Sequence, residues 1–82
     1  HITEAIKQKV LKACEADAYP SFGPYAVRKR DTLDGFKYYF DNEEWLMIRA
    51  SGTEPVLRLY AGGVTMDDAR KILAACRETI GA

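Results

Sequence analysis

The sequence predicts an α+β domain: a four-stranded antiparallel sheet with two helices packed on one face, in the order α-β-β-β-β-α. Three observations carry that prediction. Helical periodicity opens and closes the chain. Between Tyr25 and Gly63, short aromatic and β-branched stretches alternate with turn residues. At 82 residues there is material for one core, hence one domain over 1–82 and two layers.

In the first element, Ile2, Ile6, Val10, Ala13 and Cys14 recur at helical spacing from Ile2 to about Ala16. Lys7, Lys9, Lys12 and Glu15 stand between them. This is an amphipathic helix with one buried face. It stops before Tyr19-Pro20-Ser21-Phe22-Gly23-Pro24, because two prolines and a glycine cannot continue it.

Four strands are expected near Ala26–Arg30, Phe36–Phe40, Trp45–Arg49 and Val56–Ala61. The first two flank Asp31-Thr32-Leu33-Asp34-Gly35, whose Asp-Gly pair supplies the positive φ that tight hairpins need. The second and third are joined by the acidic turn Asp41-Asn42-Glu43-Glu44, and the third and fourth by Ala50-Ser51-Gly52-Thr53-Glu54-Pro55. Alternation sends one of Tyr38 and Tyr39 toward the helices and the other outward. In the closing helix Thr65 is the N-cap, and Asp67 and Asp68 meet the positive end of the dipole. Ala69, Ile72, Leu73, Cys76 and Ile80 form its buried stripe, and Gly81 ends it.

Composition narrows the function classes. Twelve basic and twelve acidic side chains cancel, so no field draws the chain to nucleic acid or an anionic membrane. A nucleic-acid reading would use Arg28-Lys29-Arg30 with Tyr25, Tyr38 and Tyr39 for stacking. The plainer reading of the three basic residues is a solvated outer strand that resists edge pairing. Cys14 and Cys76 lie far apart on apolar stripes, without metal-ligand spacing, and read as small buried hydrophobes. A reduced, cytoplasmic protein is expected from that usage. No apolar run approaches bilayer length and no signal peptide is expected. The chain opens at His1 rather than a methionine and enters a helix at once, as a segment cut from a longer protein would.

The segment Arg49-Ala50-Ser51-Gly52-Thr53-Glu54-Pro55-Val56-Leu57-Arg58 carries the chemistry. Ser51 and Thr53 offer hydroxyl donors two residues apart, and Gly52 between them lets the backbone approach a ligand. Successive N–H groups in such a turn can form a nest for phosphate oxygens. Arg49 adds a planar fork suited to phosphate, and Arg58, three residues into the next strand, can lie near it across a hairpin. On the residues alone, a plain surface turn remains open, as does pairing of Arg58 with Glu54 or another acid.

Arg49-Ala50-Ser51-Gly52-Thr53-Glu54-Pro55, followed by Arg58-Leu59-Tyr60, resembles the phosphate-binding signature of the phosphohexomutase superfamily, the phosphoglucomutases, phosphomannomutases and phosphoglucosamine mutases. Asp34-Gly35-Phe36-Lys37 resembles the hairpin and strand before that signature. Trp45-Leu46-Met47-Ile48 resembles the strand leading into it, and Thr65–Ile80 the closing helix. The likeness runs from about Tyr25 to Ala82. It implies the fourth and last domain of a long chain, closing over a hexose phosphate and holding the phosphate that is not transferred. Carried across, Arg49, Ser51, Gly52 and Thr53 would bind that phosphate, with Arg58 supporting. One departure follows Tyr60: members often have a Glu two positions on, where this chain has Ala61-Gly62-Gly63.

The resemblance also implies what the chain lacks. Moving phosphate between the 1- and 6-positions of a hexose takes a phosphoserine beside a histidine, a magnesium loop and a sugar-recognising loop. None of these is in the sequence, and its one histidine is His1. Mg2+ is expected in the full-length enzyme, bound outside this domain, with no cofactor, metal ligand or catalytic residue here. The expected partners are the phosphosugar and the other domains of the parent. A free-standing module that binds anions or phosphate is the alternative.

Overall fold

The Thr3 hydroxyl accepts the Ile6 N–H at 3.2 Å and starts α1, Glu4–Glu15. In the computed structural model, residues 3–52, 54 and 56–81 are described. Ile2 of the expected apolar stripe lies outside them. The helix ends earlier than the prolines alone require. Asp17 takes a left-handed φ of 54°, its N–H donates to the Cys14 carbonyl at 3.1 Å, and the Ala18 N–H donates to the Ala13 carbonyl at 2.9 Å. These paired bonds close the helix at an aspartate, a residue that tolerates that conformation.

The proline-rich segment, read from the sequence only as the stop of the first helix, forms a small hairpin. Strands β1 (Ser21–Phe22) and β2 (Tyr25–Ala26) pair antiparallel, with Gly23 at φ 59° in the turn. A Cβ on Gly23 would come within 3.1 Å of the Ala75 Cβ, so the turn lies close against the second helix. The hairpin sends Phe22 into the core, where its ring meets Tyr38 edge-on at 4.9 Å and Tyr19 at 5.3 Å. The first expected strand, Ala26–Arg30, is thus divided. Its start belongs to this hairpin, and its end to β3, Lys29–Asp31.

Strands β3, β4 (Phe36–Tyr39), β5 (Trp45–Ala50) and β6 (Leu57–Gly62) form one antiparallel sheet in sequence order. Tyr38, Leu46 and Ile48 point to its inner face and are fully buried, with Phe36, Leu57, Leu59 and Ala61 packed beside them. Helix α1 brings Val10 and Cys14 to this core, and α2 (Met66–Ile80) brings Ile72, Cys76 and Ile80, so both helices cover the same face. The expected α+β architecture is the observed one. Of the predicted α2 stripe, Ala69 and Leu73 are half-buried, while Ala75, not predicted, is buried. Thr65 and Asp68 form a reciprocal capping box at the start of α2, and Asp67 pairs with Lys71 at 3.5 Å. Gly81 closes the helix at φ 78°. No helix among the described residues is long and apolar enough to cross a membrane.

The outer face carries Lys37, Tyr39, Trp45, Met47 and Tyr60. The Lys37 ammonium lies 5.0 Å from the Tyr39 ring centre and 4.7 Å from that of Trp45, a cation held between two aromatic faces. Gly62 stands opposite Trp45, and a Cβ there would fall 2.2 Å from the indole nitrogen. The glycine in the segment that departs from the family pattern therefore makes room for the tryptophan.

Two basic residues, one on the expected outer strand and one on α1, turn to the interior. Arg30 turns inward, donating from Nη1 to the Cys14 carbonyl and lying 3.5 Å from Asp17. Lys7 is buried too, although the periodicity placed it between the apolar positions. Arg28 is exposed and forms a bidentate pair with Asp41, at 3.1 and 3.0 Å. Arg28, Lys29 and Arg30 therefore do not make one basic patch.

Two expectations follow for stability. Asn42 and Glu43 both have positive φ, 59° and 62°, in a turn closed by the Glu44 N–H on the Asp41 carbonyl at 3.2 Å. Glu43→Gly relieves a side chain that disfavours this geometry and should raise stability by roughly 1 kcal/mol in urea unfolding. Burial pushes the Cys76 thiol from its ordinary 9.0 up to about 12. Below pH 9 the thiol is protonated in both folded and unfolded chains. Above that the unfolded thiol ionises first and favours unfolding. The melting temperature should fall between pH 9 and about 12, less steeply in Cys76→Ala.

Candidate functional site

The site is built on the hairpin of β5 and β6. Their register pairs Met47 with Tyr60, Ile48 with Leu59, Arg49 with Arg58 and Ala50 with Leu57. Because Ile48 and Leu59 face the core, Arg49 and Arg58 face outward, directly opposite one another. Like charges opposed across a strand pair repel. Among the described residues no carboxylate pairs with either guanidinium, and the possible Arg58–Glu54 pair does not form. Two facing cations without an internal anion leave a place for an external one.

Beyond the arginines the ladder continues for one rung, the Ser51 N–H donating to the Val56 carbonyl at 3.1 Å. The Val56 N–H donates to the Glu54 carbonyl at 2.7 Å. The Ser51 amide is therefore engaged within the hairpin and is not part of a nest for phosphate. Arg49, Ala50, Ser51, Gly52, Arg58 and Tyr60 line an open depression of about 320 Å³. The structure thus brings together four of the five predicted residues, Arg49, Ser51, Gly52 and Arg58. Thr53 lies outside the described residues.

Gly52 shows why this loop is not an ordinary turn. It is exposed, its φ is not in the left-handed region, and among the described residues a Cβ there would meet nothing within 4 Å. Neither backbone conformation nor crowding among the described residues calls for glycine. The open side of the residue is where a ligand can approach the main chain.

One residue at the site escaped the sequence reading. The Lys7 ammonium reaches from α1 to the loop, donating to the Ser51 carbonyl at 2.7 Å and the Glu54 carbonyl at 3.0 Å. A signal for it exists: Lys7 stands three residues before Val10 and seven before Cys14, on the same helical stripe. A cation on an apolar stripe needs a buried polar partner.

Residues 3–79 match the family described as "Phosphoglucomutase/phosphomannomutase, C-terminal domain". The chain belongs to this family. Among individual proteins it is similar to a phosphoglucomutase/phosphomannomutase of Thermococcus kodakarensis, 37% identical over 70 residues. That alignment takes in 85% of this chain and 13% of the relative. It is also similar to a probable phosphoglucosamine mutase of Pyrococcus furiosus, 32% identical over 73 residues, covering 88% of this chain and 15% of that protein. A phosphomannomutase of Salmonella muenchen is 34% identical over 55 residues, covering 67% of this chain and 12% of the relative. The chain spans between about an eighth and a seventh of these relatives' length, and corresponds to a C-terminal domain of phosphoglucomutase/phosphomannomutase type.

In this phosphoglucomutase/phosphomannomutase domain the Arg49–Arg58 repulsion has a measurable consequence. If the depression takes an anion, inorganic phosphate should raise the melting temperature more than sodium chloride of equal ionic strength, since bridging two cations adds to screening them. Arg58→Gln should remove the difference and leave the ligand-free chain no less stable. Equal effects of the two salts on the unmodified chain would count against an anion site.

Proposed function

We propose that this chain is the phosphate-gripping domain of a phosphohexomutase, holding the phosphate that is not being transferred while other domains move phosphate between the 1- and 6-positions of a hexose. The observation that carries the reading is the Arg49–Arg58 pair, opposed on one hairpin beside Gly52 and without a carboxylate among the described residues. Membership of the family supports the parent activity.

In the proposed mode, Arg49 presents two N–H groups to a phosphate dianion and Arg58 adds a second positive charge. Gly52 lets the main chain come close, and the hydroxyls of Ser51 and Thr53 add donors. These contacts are remote from the bond that breaks. Their contribution is to draw the last domain over the sugar, exclude water and hold the substrate in place. Phosphoserine chemistry and Mg2+ belong to other parts of the parent enzyme, and this chain supplies binding alone. A soluble, cytoplasmic setting suits such a metabolic enzyme.

The test is an amide chemical-shift titration of the chain with glucose 1-phosphate, with glucose and inorganic sulfate as controls. A single phosphate site of a few charge-assisted hydrogen bonds should give a Kd on the order of 1 mM. Shifts should centre on Arg49–Gly52 and Arg58, and be absent with glucose. Arg49→Ala should weaken binding by about 1.5–3 kcal/mol, at least tenfold. Shifts mapping instead to Arg28–Arg30 would overturn the assignment.

A further inference from the structure

Lys7 is the one buried charged side chain among the described residues, at 7% exposure. The stripe it occupies, with Val10 and Cys14, would accept a leucine or methionine at no desolvation cost. Among the described residues no carboxylate neutralises it. It donates to two carbonyls of a single loop, 44 and 47 residues further along the chain. A buried ammonium satisfied by main-chain oxygens of one loop fixes that loop's peptide planes.

We propose that Lys7 is a positioning residue for the phosphate loop: by holding the Ser51 and Glu54 carbonyls toward α1, it turns the Gly52 N–H outward to the phosphate. The inference rests on the phosphate reading above and extends it to the first helix. The geometry is that of the peptide bond. In a trans peptide the C=O and the following N–H point in opposite directions, and the described chain has no cis peptide. Drawing the Ser51 oxygen down onto Lys7 at 2.7 Å therefore aims the Gly52 amide hydrogen away from the helix. Lys7 approaches from the helix-covered side of the sheet, while Arg49 and Arg58 stand on the other. The Ser51 and Glu54 carbonyls are thus held on the inner side, with the Gly52 donor presented on the outer. Carbonyl oxygens turned outward would repel a phosphate; Lys7 keeps two of them turned in. Its positive charge also adds to the field that the anion meets.

The experiment uses the 82-residue chain and the variants Lys7→Met and Lys7→Arg, with inorganic phosphate and glucose 1-phosphate as probes. Methionine keeps the length of the side chain and suits the stripe without charge. In Lys7→Met the amide shifts of β4, β6 and α2 should be retained, so that the core is intact. Hydrogen exchange at Ser51 should speed up by about tenfold or more, as expected for losing a charge-assisted bond that steadies the loop. The Kd for both probes should rise by about tenfold, and the Gly52 amide should lose most of its ligand-induced shift. Lys7→Arg, which restores a cationic donor, should recover a large part of both. If Lys7→Met does not fold, Lys7→Gln, with a neutral donor of shorter reach, takes its place with the same expectations in weaker form. Binding and Ser51 exchange unchanged in Lys7→Met would overturn the inference and leave the phosphate reading standing. Failure of the unmodified chain to bind either probe in an Arg49-dependent way would overturn both.

Discussion

The register between β5 and β6 is the constraint on which core and site both depend. It places Leu46 and Ile48 under the helices, and by the same alternation it places Arg49 and Arg58 together on the outer face. A slip by one residue would expose the two apolar side chains and drive the guanidinium groups inward. Burial of apolar side chains on one face therefore enforces the charge pair on the other. Repulsion between the arginines is opposed by the packing of the whole sheet.

The first helix is joined to this frame by two inward-turned cations. Arg30 donates to the Cys14 carbonyl near the end of α1, where the helix dipole is negative and carbonyls lack partners within the helix. Lys7, two turns earlier, holds the loop carbonyls. Each reaches across the gap between helix and sheet with a long aliphatic stem, so the contact combines apolar packing with a polar tip. The helix is thereby fixed against both an edge strand and the loop between β5 and β6.

The aromatic cluster fills the end of the core that the four main strands leave open. Phe22 packs against Tyr19, Tyr38 and Phe40 from its own small hairpin. Among the described residues no group meets hydrogen-bond geometry with the enclosed Tyr38 hydroxyl. The Cys14 thiol is its polar neighbour. Burial first, and then that thiol, push the phenol well above its ordinary range. Burial likewise keeps Cys14 and Cys76 protonated, as small hydrophobes rather than nucleophiles.

The sequence by itself determined the order of the two helices and the four main strands, the layering of both helices on one face, and the family motif. Periods of two and 3.6 residues are local properties, and Arg49-Ala50-Ser51-Gly52-Thr53-Glu54-Pro55 is a contiguous motif. The Thr65 N-cap of α2 and the Tyr38/Tyr39 alternation were equally legible, since each involves residues within a few positions. Tertiary structure alone decided the rest. The Phe22 hairpin was hidden because Pro20, Gly23 and Pro24 signal a turn whether or not an aromatic ring between them finds a core. Arg30 was read as solvated, and Lys7 as standing between the apolar positions of its helix, because charge ordinarily faces water. Their carbonyl partners, 16 residues away for Arg30 and 44 and 47 away for Lys7, exist only once helix and sheet have packed. Pattern in a sequence records which side of an element is apolar, but it does not record which distant oxygen makes a buried cation tolerable. That pairing depends on distances between elements, and only the folded chain sets them.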